Sequence, residues 1–264
     1  ITIYWSIHYT WQSTLIDVSE RLEVASNSIE LIQQKQANHV EAFAESYDFR
    51  IRLESGVNEE VLQQWVRKQK KRYNLDFLCL HRIDDIEGKF DYQELTQKES
   101  FFDLLTREEV TDLDENLARR AEVAMLDDNS VENRGLVSRT VIPVHNNEGV
   151  LVGYMDGGLL LNNSTILVDQ IRDLIYPSEK DYLRPLGTLT LFLGDLRVST
   201  NVPLDSNDHL GRAIGTRVSD EVRSSVLDKG EQWVNRAFVY DAWYISAYQP
   251  IHDKNDQVIG MIYT

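Results

Sequence analysis

A single cysteine, Cys79, is all the thiol chemistry in this chain of 264 residues. That excludes an internal disulfide and any zinc site built on cysteine. It stands in the apolar run Phe77-Leu78-Cys79-Leu80, the setting of a small buried hydrophobe rather than a reactive thiol. Basic residues are scarce as well: 27 Lys and Arg against 43 Asp and Glu leave a formal charge of −16. A surface that acidic repels phosphate backbones and anionic lipid, so nucleic acid and membrane surfaces are poor direct partners. No stretch reaches the roughly 18–20 apolar residues of a membrane span, and no signal peptide is visible. His-Glu-x-x-His, the phosphate-cradling Gly-Lys-Ser/Thr and Gly-x-Ser-x-Gly are all missing. The acidic window Asp112-Leu113-Asp114-Glu115 lacks the Asp-x-Asp-x-Asp-Gly spacing of a calcium loop. No nucleophile–base pair can be assembled for a hydrolase, and neither a metal nor a cofactor is expected.

What the chain does have is one pattern used twice. Pro143-Val144-His145 is followed by Gly153, and Pro250-Ile251-His252 by Gly260, at a constant offset of 107 residues. Residue type repeats around these anchors: Val141/Tyr248, Leu151/Val258, Val152/Ile259. Two apolar runs flank a polar turn in each copy, Asn146-Asn147-Glu148-Gly149 and Asp253-Lys254-Asn255-Asp256, so each reads as a β-hairpin. A hairpin recurring at domain-sized spacing points to two related modules in tandem. His145 and His252, a tempting metal pair, then occupy equivalent hairpin ends in different modules.

Residues 14–53 carry a helical pattern. Leu15, Val18, Leu22, Ala25, Ile29 and Ile32 follow 3–4 spacing, the rhythm of a helix seam. A helix of 40 residues would be about 60 Å long, so it must run along a partner helix or past both modules. A second helix is expected over 58–73, with Val61, Leu62, Trp65 and Val66 inward, then a strand over 75–83. Residues 84–135 are acidic and hard to parse, with helices expected near 100–105 and 114–125. After the first hairpin comes a short helix stopped by Pro177, then a strand pair over 189–193 and 197–201. A helix capped by Ser219 and ending at Gly230, and three further strands, complete the second module. Strand-strand-helix-strand-strand-strand is the order of a PAS-like sheet.

The run GTLTLFLGDLRVSTN at 187–201, continued by 212–219 and 244–251 and preceded by the link 168–173, is similar to the membrane-proximal half of fused Cache sensors. The whole chain resembles the double Cache (tandem PAS-like) extracytoplasmic sensor domains of bacterial membrane receptors. The fold this implies is α+β, with a long N-terminal helix followed by two PAS-like modules, each a central antiparallel sheet flanked by helices. The expected parts are a stalk or dimerisation helix over 1–56, a membrane-distal module over 57–162, a linker helix over 163–186 and a membrane-proximal module over 187–264. Ile1-Thr2-Ile3-Tyr4-Trp5 looks like the aromatic rim of a membrane span, so the chain reads as a soluble piece of a larger protein.

The resemblance implies the periplasmic or other extracytoplasmic input domain of a bacterial inner-membrane protein. The parent would be a histidine kinase or a diguanylate cyclase, alternatively a chemoreceptor, and this fragment itself would be non-catalytic. The distal module would hold a small ligand, with an amino acid or carboxylate as the candidate. The signal would pass along the helix, and the seam over 15–32 would pair two copies in a parallel homodimer. A different reading is a structural or protein-interaction ectodomain whose pockets are packed shut.

A turn centred on 147/148 sets Arg139 opposite Asp156 and Val141 opposite Tyr154, all on one face. Arg offers a carboxylate a bidentate fork, and Asp offers an ammonium an acceptor. Against this stands simple neutralisation of the two charges on an exposed face. His81, at the end of the first strand, could reach the same pocket. If Arg139 holds ligand, Arg139→Ala should abolish a ligand-induced thermal shift and leave the unliganded melting point nearly unchanged. In the second module the same register sets Ser246 opposite Tyr263 and Tyr248 opposite Met261. Tyr244 and Tyr248 are its ligand candidates, with core packing as the competing reading. Arg197, Arg212 and Arg217 are expected to support loops.

Overall fold

The computed structural model describes residues 2–85, 95–177, 187–205, 208–239 and 242–264. Residues 178–186, the end of the expected linker, lie outside the described residues, as do 86–94 within the acidic stretch. The chain forms two compact units: residues 31–121 with 134–160, and residues 1–30 with 122–133 and 161–264.

Helix α1 runs over Thr2–Ala44 and is followed by α2, Tyr47–Glu54, and α3, Glu59–Gln69. Side-chain caps explain the two restarts. Ser46 accepts from the Phe49 amide, and Asn58 accepts from the Glu60 and Val61 amides. On α3, Leu62 and Val66 are buried and Trp65 is half-buried, whereas Val61 faces solvent. The apolar stripe on α1 has a different use from the one its rhythm suggests. Val18, Leu22, Ala25 and Ile29 are buried within the chain itself, so this seam is spent on the fold's own core.

Strand β1 spans Phe77–Arg82 and β2 spans Glu99–Leu105. The latter corrects the helix expected near 100–105. Phe-Phe and Leu-Leu doublets suit either period, but Phe101 and Leu105 face inward two residues apart on either side of Asp103, and the run pairs with the first hairpin. Helices α4 (Arg107–Leu113), opened by a capping box on Thr106 and Glu109, and α5 (Glu115–Ala121) follow. A small ladder then joins β3 (Val123–Ala124) to β4 (Val131–Glu132). The long hairpin is β5 (Gly135–His145) with β6 (Leu151–Leu160), and α6 spans Thr165–Ile175. The rest is β7 (Thr190–Leu193), β8 (Leu196–Thr200), β9 (Pro203–Asp205), β10 (Asp208–Arg212), α7 (Asp220–Arg223) with a π-helical turn over Ser224–Asp228, β11 (Trp233–Val239), β12 (Ala242–His252) and β13 (Val258–Tyr263).

One sheet has the order β1-β6-β5-β2 and the other β11-β12-β13-β7-β8. Read from the opposite edge, β2-β5-β6-β1 matches β11-β12-β13-β7 strand for strand, and β8 extends the second sheet by one. All these pairings are antiparallel. The second order is that of a PAS-like sheet, as the sequence led one to expect.

The two hairpins repeat down to single atoms. Asn146 Oδ1 accepts from the amides of Glu148 and Val150, and Asp253 Oδ1 from those of Asn255 and Gln257. Gly149 has φ of +80° and its counterpart Asp256 has +62°. A bulge follows between Val144 and His145 in one, and between Ile251 and His252 in the other. The repeated glycine is a matter of space. A Cβ at Gly153 would lie 2.3 Å from the His81 carbonyl oxygen, and one at Gly260 would lie 2.1 Å from that of Phe192. The repeated proline sits where its missing N–H costs nothing. The pairing of β5 with β2 ends at Val141 and that of β12 with β11 ends at Tyr248, so Pro143 and Pro250 lie beyond the third strand.

Bulge and turn together displace the register by two residues from the simple hairpin. Arg139 stands opposite Gly158 and Val141 opposite Asp156, while Tyr248 stands opposite Tyr263 and Pro250 opposite Met261. The expected partners Arg139/Asp156, Val141/Tyr154, Ser246/Tyr263 and Tyr248/Met261 are corrected accordingly. A shift of two keeps every side chain on its expected face.

The four-stranded sheet has two apolar layers. Val40, Phe43, Phe49, Leu62, Val66 and Leu78 pack one face under the helices. Phe77, Cys79, Leu105, Val110, Leu117 and Val137 pack the other under α4 and α5. Cys79 is buried there, and burial together with the Asp156 charge pushes its thiol up to about 12, which keeps it protonated and inert.

Candidate functional site

The face of the four-stranded sheet that meets α4 and α5 carries a charged centre. Direct cross-strand partners share a face, so His81 and Cys79 (β1), Tyr154 and Asp156 (β6), Arg139 and Val141 (β5) and Phe101 and Asp103 (β2) all point the same way. Opposite Arg139 stands Gly158, which brings no side chain into the path of the guanidinium. Arg139 Nε donates to Asp156 at 3.0 and 3.1 Å, and Nη2 donates to Asp156 Oδ2 at 2.6 Å. Arg139 Nη1 donates to Asp103 Oδ2 at 2.8 Å. His81 Nε2 lies 3.2 Å from Asp156 Oδ2; an ionised carboxylate only accepts, so Nε2 carries the proton.

Arg139 and Asp156 are thus brought together, but in the interior: Asp156 is 0% exposed and Arg139 5%. Neutralisation on an exposed face is ruled out. Burial would push the Asp156 carboxyl up, yet the Arg139 guanidinium and the His81 hydrogen bond outweigh it and hold that carboxyl well below the usual carboxylate range. At Asp103 the balance is reversed. Burial pushes its carboxyl up, and Arg139 offsets this only in part. Val141 and Tyr154 are buried with Leu95 and Phe101 and form an apolar wall. The side chains of His81 and Asp103 are 32% and 22% exposed, so these two are the members a solute can touch.

Asp103 is hidden in the sequence because the apolar doublets around it also fit a helix. The signal was present in the i, i+2 spacing of Phe101, Asp103 and Leu105 on the inward side of a strand. The centre sets two carboxylates against one guanidinium, and Arg139 already spends its fork on them. An ammonium therefore fits beside Asp103 better than a carboxylate fits beside Arg139.

In the five-stranded unit, Tyr248 is buried against Phe192, Trp233 and Tyr263, and Tyr244 lies half-buried at the margin of that cluster. Burial pushes the Tyr248 hydroxyl well above the ordinary phenol range. Of the three arginines, two do support loops. Arg212 makes a bidentate pair with Asp169 at 2.9 and 2.7 Å, and Arg217 bridges Asp127 and Asp195. His145 and His252 stand on separate sheets. Among the described residues no group of His, Cys, Asp and Glu could hold a metal, and no helix is long and apolar enough to cross a membrane.

Residues 159–264 match the family model described as single cache domain 3. That stretch contains the whole five-stranded sheet. Among solved structures, the periplasmic domain of Vibrio cholerae LuxQ is 13% identical, with a TM-score of 0.49 and coverage of 93% of this chain and 97% of that one. The sensory domain of the Campylobacter jejuni chemoreceptor Tlp3, solved with isoleucine bound, is 10% identical, with a TM-score of 0.42 and coverage of 96% and 92%. No curated protein matches the chain.

Proposed function

We propose that this chain is the extracytoplasmic input domain of a membrane-anchored signalling protein, non-catalytic in itself, and that its four-stranded unit binds a small amine-bearing molecule, an amino acid or a simple amine. The parent is a histidine kinase, a diguanylate cyclase or a chemoreceptor. The observation that carries the reading is the buried centre of Arg139, Asp156, Asp103 and His81, which holds more negative than positive charge on a PAS-like sheet. Asp103 and His81 are its accessible contacts, and Tyr154 and Val141 its apolar wall. Binding there would shift the sheet against the end of α1, and a differential affinity of about 1–3 kcal/mol suffices to bias a two-state switch.

A thermal-shift screen of amino acids, amines and carboxylates tests this. At least one amine-bearing compound should raise the melting temperature, and Asp103→Asn should remove that response. A carboxylate-only response, or none, sinks the reading. The second reading, an ectodomain packed shut that takes its input from a periplasmic binding protein, draws support from the full engagement of Arg139 and gains if nothing binds.

The proposal includes a second copy of the chain along α1, on a stripe other than the one the sequence favoured. Tyr9, Ile16, Val24 and Leu31 are exposed at intervals of seven, eight and seven residues, a heptad-like spacing. Ile16→Glu with Leu31→Glu should convert a concentration-dependent dimer into a monomer in sedimentation experiments. An unchanged dimer would place the interface elsewhere.

A further inference from the structure

The third arginine of the Cache-like run differs from its two neighbours. Arg197 is 2% exposed, and among the described residues no carboxylate pairs with it. Its Nη1 donates to Thr216 Oγ1, and its guanidinium lies over the Phe192 ring at 5.1 Å. The Nε donor has no acceptor among the described residues. Thr216 and the Phe192 ring compensate part of the cost of burying this cation, but neither supplies a negative charge. A buried donor without a partner calls for a reason, and a missing anionic ligand is one.

The surroundings say which anion. Arg197 sits close enough to Tyr248 and Tyr263 for their charges to act on one another. The Tyr263 hydroxyl accepts from Thr188 at 3.1 Å, and Tyr248 is buried in the same cluster. An unsatisfied guanidinium N–H thus shares the sheet's inner face with two phenols. The remaining walls, Phe192 and Trp233, are aromatic. A guanidinium matches a carboxylate in geometry, a phenol adds a third donor, and aromatic walls take an apolar tail.

We propose that Arg197 and Tyr248 anchor a second ligand site, inside the five-stranded unit, for a small carboxylate with an apolar or aromatic tail. It is separate from the amine site of the other sheet. It also alters the outcome for Tyr248, from core residue to core residue with a binding role.

Benzoate and propionate are the probes, with sodium chloride at equal ionic strength as reference. Benzoate should raise the melting temperature by about 5 °C at a hundredfold excess over its dissociation constant. Arg197→Gln should fold, melt no lower than wild type in chloride, and show no benzoate response. Asp103→Asn should keep the benzoate response while losing any amine response, which separates the two sites. No response of the wild type to either carboxylate, or an undiminished response in Arg197→Gln, overturns the proposal. Should Arg197→Gln fail to fold, Tyr248→Phe decides. A benzoate affinity weakened about tenfold supports the site, since a lost hydrogen bond to a charged group is of that order, and an unchanged affinity refutes it.

Discussion

Arg139→Ala is expected to cost about 3–5 kcal/mol of stability, measured by urea unfolding, because it strands a carboxylate in the interior. Asp156 is fully buried, and Arg139 supplies the positive charge nearest to it. The sequence alone led to the opposite expectation, a melting point nearly unchanged, for an Arg139 whose role is to hold ligand. Burial reverses the sign of that argument. Arg139→Met combined with Asp156→Leu should recover most of the loss, for the apolar pair needs no counter-charge. Acid should separate the variants further. With its carboxyl held below the unfolded value of about 3.9, Asp156 stabilises the native state above that pH, and the contribution is lost as the pH falls towards the folded value. Asp103, shifted upward, works the other way: the proton it takes up favours the native state below its folded value, and this support is lost as the pH rises through it. Without Arg139, Asp156 joins Asp103, so the variant should regain stability on acidification where the wild type loses it. A variant as stable as wild type, with the same acid limb, would show that the pair is dispensable.

Phe43→Ala should cost a comparable amount, about 3–5 kcal/mol, through the cavity it leaves. Phe43 is 1% exposed and lies 5.3, 5.6 and 5.5 Å from the rings of Phe49, Trp65 and Tyr73. It is the residue through which the end of α1 enters the core of the four-stranded unit, so its truncation removes helix docking as well as buried area. Phe43→Leu keeps most of the volume and should cost less than half as much. Unfolding curves followed by tryptophan fluorescence, with Trp65 beside the cavity, give both values. A loss below 1 kcal/mol would mean that the helix is held by its other contacts.

The sequence was most legible where local chemistry and long-range pattern agree. The two hairpins could be read because their prolines, glycines and Asx turns answer the same steric needs 107 residues apart. The PAS-like strand order followed from them. Register was legible only in parity, because a bulge leaves no mark in composition: Arg139 was placed on the right face and two residues from its true partner. Strand β2 was lost because two apolar doublets satisfy both periods, and Asp103 was lost with it. The stripe on α1 was seen correctly as apolar, but periodicity does not say whose core a stripe fills. Val18 and Leu22 turn out to fill the chain's own. The isolation of Arg197 could not be read at all, since an unpaired charge is a fact about its neighbours in space.

Strands β5 and β12 both outrun a neighbour, leaving a stretch of backbone whose outer edge no described strand covers. Such a ragged edge is where foreign strands attach and where aggregates begin. Each carries a ring that lacks a donor, then a kink one or two residues on. The repeated hairpin therefore comes with its own safety catch, and copies of this chain can stand shoulder to shoulder without their sheets fusing.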